Sequence, residues 1–220
     1  ALLSPFFATL PLAEYGLEFI FPPVAAAHPF DDGTSVALYQ SLEKTALQLG
    51  EDAKQYLSIF GPLKDKWHRI DQDLLGPLTI PSYPLDFAAF GLKALPSASF
   101  TARFFETREA KALWAGMAAH SIQPLTNIAT SAIGLVLTVA GHKVGWPIPK
   151  GGSQSIANAI AAYFKSLGGE IQTSFPVTSL RQLPPSKVVL LDVTPKQLLE
   201  IAGDKFSGLY KWQLNRYRYG

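Results

Sequence analysis

Tyr56, Ile59, Phe60, Leu63 and Trp67 fall on a single helical stripe, the clearest apolar periodicity in the first half of the chain. Ser41 stands where an N-cap belongs, with Lys44 at the third helical position. Gly50 closes that first helix, and Glu51 opens a longer one running towards Gly76, which Pro62 should kink or break. Pro77, Pro81, Pro84 and Pro96 make residues 77–97 a loop-rich connector around a short apolar helix. Helix resumes over Ser97–Ser121, with Arg108, Glu109 and Lys111 in solvent. Ahead of this block, Leu17–Phe21 and Ser35–Tyr39 read as strands flanking the turn signal Asp31-Asp32-Gly33-Thr34.

Beyond the helical block, Ile156, Ile160, Phe164 and Leu167 lie on one helical face, with Ser153 as N-cap and Gly168 as the left-handed stop. A strand begins at Glu170–Thr173 and another covers Val188–Leu191. The expected fold is α+β, with most helices between residues 41 and 142 and strands near 17–39 and 170–192. The Ile156/Ile160/Phe164 face should pack on the strand containing Val188–Leu191.

Ala112–His142 contains no Asp, Glu, Lys or Arg over 31 residues. A membrane span needs about 20 continuous apolar residues, but Gln123, Pro124, Thr126 and Asn127 interrupt this stretch. Two readings remain open. Two core helices meet at Pro124, or the small residues Ala115, Gly116, Ala118, Ala119, Ala132 and Gly134 line a tunnel for a long apolar molecule.

Composition narrows the picture. At 220 residues the chain is long enough for one or two domains. Hydrophobic residues make up 48% and charged ones only 16%, with a mean hydropathy of +0.14. Such a balance suggests surface that another domain, a ligand or a membrane covers. A net charge of +2 with dispersed Lys and Arg argues against nucleic acid. The absence of cysteine excludes disulfides and thiolate chemistry, and fits a reducing, cytoplasmic setting.

Catalytic constellations are thin. His28, His68, His120 and His142 lack metal-ligand spacing, so no metal is expected. His120 and His142 bound the charge-free stretch and read as structural histidines with a chance of touching a ligand. Asp31-Asp32 reads as turn chemistry, and Ser153 lacks the G-x-S-x-G elbow of a serine hydrolase. Arg216, Tyr217, Arg218 and Tyr219 suit cation–π pairs across a strand or a docking surface.

The segment WPIPKGGSQSIANAIAAYFKSLGGEIQTSFPVTSL (Trp146–Leu180) resembles the middle of the phytoene desaturase-like flavoproteins, relatives of the amine oxidases. KVVLLDVTPKQLLEIAG (Lys187–Gly203) looks like that family's returning strand with its small-Pro turn and short helix. LYKWQLNRYRYG (Leu209–Gly220) looks like its aromatic-basic segment, and Ser4–Tyr39 like the region following its nucleotide-binding unit. The family's G-x-G-x-x-G fingerprint has no counterpart here, since no Gly-x-Gly occurs in the chain.

The resemblance implies a central part of a larger FAD-dependent oxidoreductase. Residues 1–145 would form the substrate-binding region, 146–203 part of a Rossmann-like FAD-binding domain, and 204–220 a return towards the substrate region. It implies that Val177 meets the adenine of FAD, and that Asp192, Val193 and Thr194 pass close to the cofactor. It favours the tunnel, with Trp114, Met117, His120 and Leu135 as candidate lining residues; the catalytic residues stay unassigned, because the flavin is the reactive centre. The implied substrate is an apolar small molecule, such as a polyene or lipid, oxidised by hydride transfer to flavin. The implied partners are the N- and C-terminal parts of the same enzyme, with peripheral membrane contact and a homo-oligomer left open. Without the fingerprint, the 220 residues alone are expected to hold no FAD and to be inactive. The alternatives are a non-catalytic lipid- or pigment-binding module and an amine-oxidase-like flavoprotein with a polar substrate.

Overall fold

In the computed structural model, which describes residues 4–77 and 79–219, the chain is α+β. It divides into two compact units at Leu167/Gly168. Leu78 and Gly220, which fall in the predicted connector and in the aromatic-basic segment, lie outside the described residues.

In the first unit, α1 (Pro5–Thr9) leads into β1 (Phe19–Ile20) and then an antiparallel hairpin of β2 (Ala26–Pro29) and β3 (Ser35–Leu38). The Asp31–Thr34 turn forms as expected. Asp32 Oδ1 accepts from the Thr34 amide and hydroxyl at 3.0 and 2.7 Å. The strand it joins to β3, however, is β2 and not the predicted Leu17–Phe21. The Ala-Ala-His-Pro run of β2 carries too little apolar signal to announce a strand, and β1 pairs instead with a distant segment.

Ser41 accepts from the Lys44 amide and caps α2 (Leu42–Ala46). The stripe Tyr56, Phe60, Leu63 and Trp67 is buried, as its period predicted. The helix that carries it, α3 (Ala53–Asp65), falls short of Gly76. Pro62 has no N–H for the Ser58 carbonyl, so the helix survives only one further turn. A 3-10 turn at Trp67–Arg69 and the short α4 (Asp71–Leu75) then bring Trp67 and Ile70 into the core.

The connector holds α5 (Pro84–Ala94), and the expected helix over Ser97–Ser121 is split into α6 (Ala98–Thr101) and α7 (Arg108–Ala119). The cause is a buried carboxylate. Asp52 accepts from the Glu106 amide, and from the Thr107 amide and hydroxyl at 2.7 Å each, which holds residues 105–107 out of helical geometry. Thr107 then caps α7. Burial alone would raise the Asp52 pKa, but these hydrogen bonds outweigh it and hold the carboxyl below its usual range.

The charge-free stretch is two helices, α7 and α8 (Thr130–Val144), joined by a turn-rich loop. Buried Thr130 fixes the start of α8: its hydroxyl donates to Asn127 O at 2.8 Å and accepts from the Ala98 amide at 2.8 Å. The two helices approach closely because Gly134 has no side chain. A Cβ there would stand 2.9 Å from the Trp114 ring and 3.3 Å from Ala118. Among the described residues no helix is long and apolar enough to cross a membrane.

After α8, β4 (Ile148–Pro149) pairs antiparallel with β1, and α9 (Gln154–Ser166) follows. Ser153 occupies the N-cap position but its side chain makes no capping bond. The expected partner of the apolar face of α9 does not form, since residues 188–191 are not a strand. Ile156, Ile160 and Tyr163 pack instead around Leu12, Leu17 and Ala159, while Phe164 is exposed.

The second unit departs most from expectation. Residues 170–178 and 184–193 join no sheet, with Ser174 at φ +57 and bends at Lys187 and Val193, so the strands expected near 170–192 do not form. A strand is defined by its partner, and no complementary segment pairs with either stretch. The predicted small-Pro turn and short helix are present: Thr194 and Gln197 form a capping box at α10 (Pro195–Ala202). The aromatic-basic segment is mainly helical, as α11 (Gly208–Asn215), and Arg216 lies 4.4 Å from the Trp212 ring on that element, not across a strand.

Candidate functional site

A cleft of about 600 Å³ opens in the first unit where β1, β4, the C-terminal end of α8 and the start of α9 converge. Phe19, Val24, Val144, Trp146, Ile148 and Ile156 supply most of its wall, and alanine, proline and glycine complete it. No charged or hydrogen-bonding side chain other than the Trp146 indole lines it.

The local sequence explains this convergence. Gly145 ends α8 in a left-handed conformation and swings Trp146 over the cleft, where the His120 ring meets it edge-on at 5.8 Å. Gly151 and Gly152, at φ +80 and +91, form the turn between β4 and α9 that L side chains would strain. Ser155 Oγ donates to Lys150 O at 2.6 Å and the Lys150 amide to Glu18 O at 2.8 Å, which ties that turn to β1.

Of the expected substrate residues, Trp114, Met117 and Leu135 come together, but within the packed core. The Trp114 indole is pinned by donating to Ala98 O at 2.9 Å. His120 is exposed and sits apart from them, beside Trp146. Of the cofactor residues, Val177 and Val193 are half-buried in the second unit, and Asp192 and Thr194 are exposed. Thr194 accepts from the Gln197 amide, so its hydroxyl is already committed to capping α10.

Phe19 falls in the predicted Leu17–Phe21 strand, and Trp146, Ile148 and Ile156 fall in the Trp146–Leu180 segment with its Gly-Gly pair. That they meet in one cleft depends on the β1–β4 pairing, which no local pattern announces.

His142, which ends the charge-free stretch, is structural. It is buried, its Nδ1 donates to Gln40 O at 3.2 Å, and its Nε2 accepts from the Tyr56 hydroxyl at 2.7 Å. Burial pushes the Tyr56 pKa up and the His142 pKa down. For His142 the Gln40 and Tyr39 carbonyls oppose that shift, Lys64 adds to it and Glu43 opposes it. The folded pKa lies below the unfolded value of about 6.5, so the unfolded chain binds the proton more readily. Stability is therefore full above pH 6.5 and declines as pH falls below it, levelling off once the folded imidazole protonates. Urea melts at pH 7.5 and 5.0 should show this loss, and His142→Gln should be less stable at pH 7.5 with a smaller pH slope.

Residues 23–205 match the family model of the flavin-containing amine oxidoreductases, a span that covers the hairpin, the helical block, α10 and the cleft apart from Phe19 and Pro22. The chain belongs to that family of flavin oxidoreductases. No curated protein and no solved structure matches it.

The described residues do not by themselves fit a complete flavin site. Val177 and Val193 can supply apolar contacts, but the chain has no glycine-rich turn to cradle a pyrophosphate. No group of three or more metal-ligating side chains occurs among the described residues either.

Proposed function

We propose that this chain is the substrate-binding region, together with part of the FAD-binding region, of a phytoene desaturase-like oxidoreductase acting on an apolar polyene or lipid. One observation carries this reading: the side chains lining the cleft beside Trp146 are apolar apart from the indole N–H, and none is a carboxylate that could receive an amine. Ligand sites owe orientation to a few polar groups and affinity to apolar walls, and here the walls are nearly all there is. A hydrocarbon loses nothing in such a cleft, whereas a charged substrate would be desolvated with no charged side chain to meet it. In this reading Phe19, Trp146 and Ile148 hold the substrate and exclude water, while Val177, Asp192, Val193 and Thr194 would help to hold FAD, which would supply the capacity to accept hydride.

The test uses the cleft's own indole. Retinol, a long apolar polyene, should quench the Trp146 share of the fluorescence saturably, and Trp146→Phe should abolish that component. Benzylamine should leave it unchanged. Saturable quenching by benzylamine but not by retinol would overturn the apolar reading in favour of a polar amine.

A further inference from the structure

A second cavity, of about 290 Å³, lies on another side of α8, between α3, α5, α6 and the 3-10 turn at Ala102–Phe104. Leu135 of α8 and Ile59 of α3 form its floor, and Leu92, Phe100 and Phe104 its walls. Ala140, which faces the Trp146 cleft, is five residues from Leu135, or about 140° around the helix. The two cavities share no lining residue.

Two features mark this groove as more than a packing gap. Phe100 and Phe104 stand edge to face at 5.7 Å, each about half exposed, although they belong to the type of side chain most often buried. At its edge stands Lys93, the one charged residue lining it, and among the described residues Lys93 takes part in no ion pair. No Asp or Glu lines the groove. Gln55 and Thr101 are its uncharged polar groups, and the Thr101 hydroxyl is already bonded to Ser131 at 2.8 Å.

We propose that this groove binds an amphipathic monocarboxylate, an alkyl or aryl acid whose apolar body lies against Ile59, Leu135, Phe100 and Phe104 and whose carboxylate meets Lys93. The charge pattern selects the class. A dianion would find one cation, an amine would meet a like charge, and a neutral hydrocarbon would leave Lys93 unused. The volume lies at the small end of the range for small-molecule sites, about 300–1,000 Å³, which suits a medium-chain acid. This site is independent of the cleft and of the reaction proposed for the family.

Decanoate below its micelle concentration is the probe, with decanol as the neutral control, titrated calorimetrically into the 220-residue chain. At low salt, decanoate should bind about fivefold more tightly than decanol, the scale of one partly exposed ion pair. That ratio should fall towards one in 1 M salt, because exposed charges are screened. Lys93→Gln should also bring it to about one, and Lys93→Glu should favour decanol. Phe104→Ala should weaken both ligands alike. Lys93 and Phe104 are exposed, so circular dichroism should report folded variants. Equal affinity for the two ligands in the unmodified chain, unchanged decanoate binding in Lys93→Glu or in Phe104→Ala, or the absence of saturable binding would each overturn the assignment. Retinol quenching of Trp146 should persist in Lys93→Glu, which separates failure here from failure of the apolar cleft.

Discussion

Trp114→Ala will destabilise the chain by about 3–5 kcal/mol, the usual range for truncating a buried tryptophan. The indole is 3% exposed, lies against Gly134 where α7 and α8 meet, and packs at 6.4 Å from Phe60. Its removal leaves a cavity at that crossing and strands the Ala98 carbonyl that accepts from Nε1. Urea unfolding followed by circular dichroism measures the loss. The same variant separates two roles for this residue. A side chain that lined a substrate tunnel would cost binding while leaving stability nearly intact. A side chain that holds two helices together would cost stability first, and a loss below about 1 kcal/mol would contradict the packing described above.

Asp52→Ala should be nearly as damaging, at about 2–5 kcal/mol. The carboxylate is 3% exposed and accepts from the amides of Glu106 and Thr107 and from the Thr107 hydroxyl. Removing it leaves these donors without their acceptor, at about 1–3 kcal/mol for each one that stays buried. It also loosens the segment that starts α7. Because the folded pKa of Asp52 is depressed, its contribution is complete above the unfolded carboxylate value of about 3.9. It is lost as pH falls through the folded value. Melts between pH 5 and 2 should steepen at the acid end for the unmodified chain and less so for Asp52→Asn. The His142 contribution begins to fall at a higher pH, from about 6.5, and Asp52→Asn and His142→Gln, each followed over one pH series, tell the two groups apart.

The features that were legible in the sequence are those decided within a few residues. Ser41 caps α2 because its hydroxyl needs only the Lys44 amide, and Thr194-Pro195 opens α10 for the same reason. The Tyr56–Trp67 stripe is buried because its period matches a helix that must hide one face. Gly168 adopts a left-handed φ of +86, as its position after α9 suggested. What stayed hidden depends on partners far along the chain. The Asp52 bond to Glu106 and Thr107, the β1–β4 pairing and the Tyr56–His142 contact each join segments that no local pattern links. The site was half legible for the same reason. The Gly-Gly turn beside Trp146 was conspicuous, whereas Phe19 and Ile148 line the cleft only through a two-residue ladder.

The stretches of the second unit that join no sheet carry a colloidal consequence. Val188 and Leu190 are 70% and 90% exposed, in a segment whose main-chain groups belong to no ladder. An exposed apolar segment with unpaired main-chain groups can serve as a template for strand pairing with another chain. With no Pro and no charge between Val188 and Leu191, nothing in that run blocks strand-to-strand addition. Lys187 and Asp192 are the two charges that flank the run, in the position of gatekeepers. The exposed run is thus guarded by its two flanking charges, and not by the core that holds the rest of the chain together.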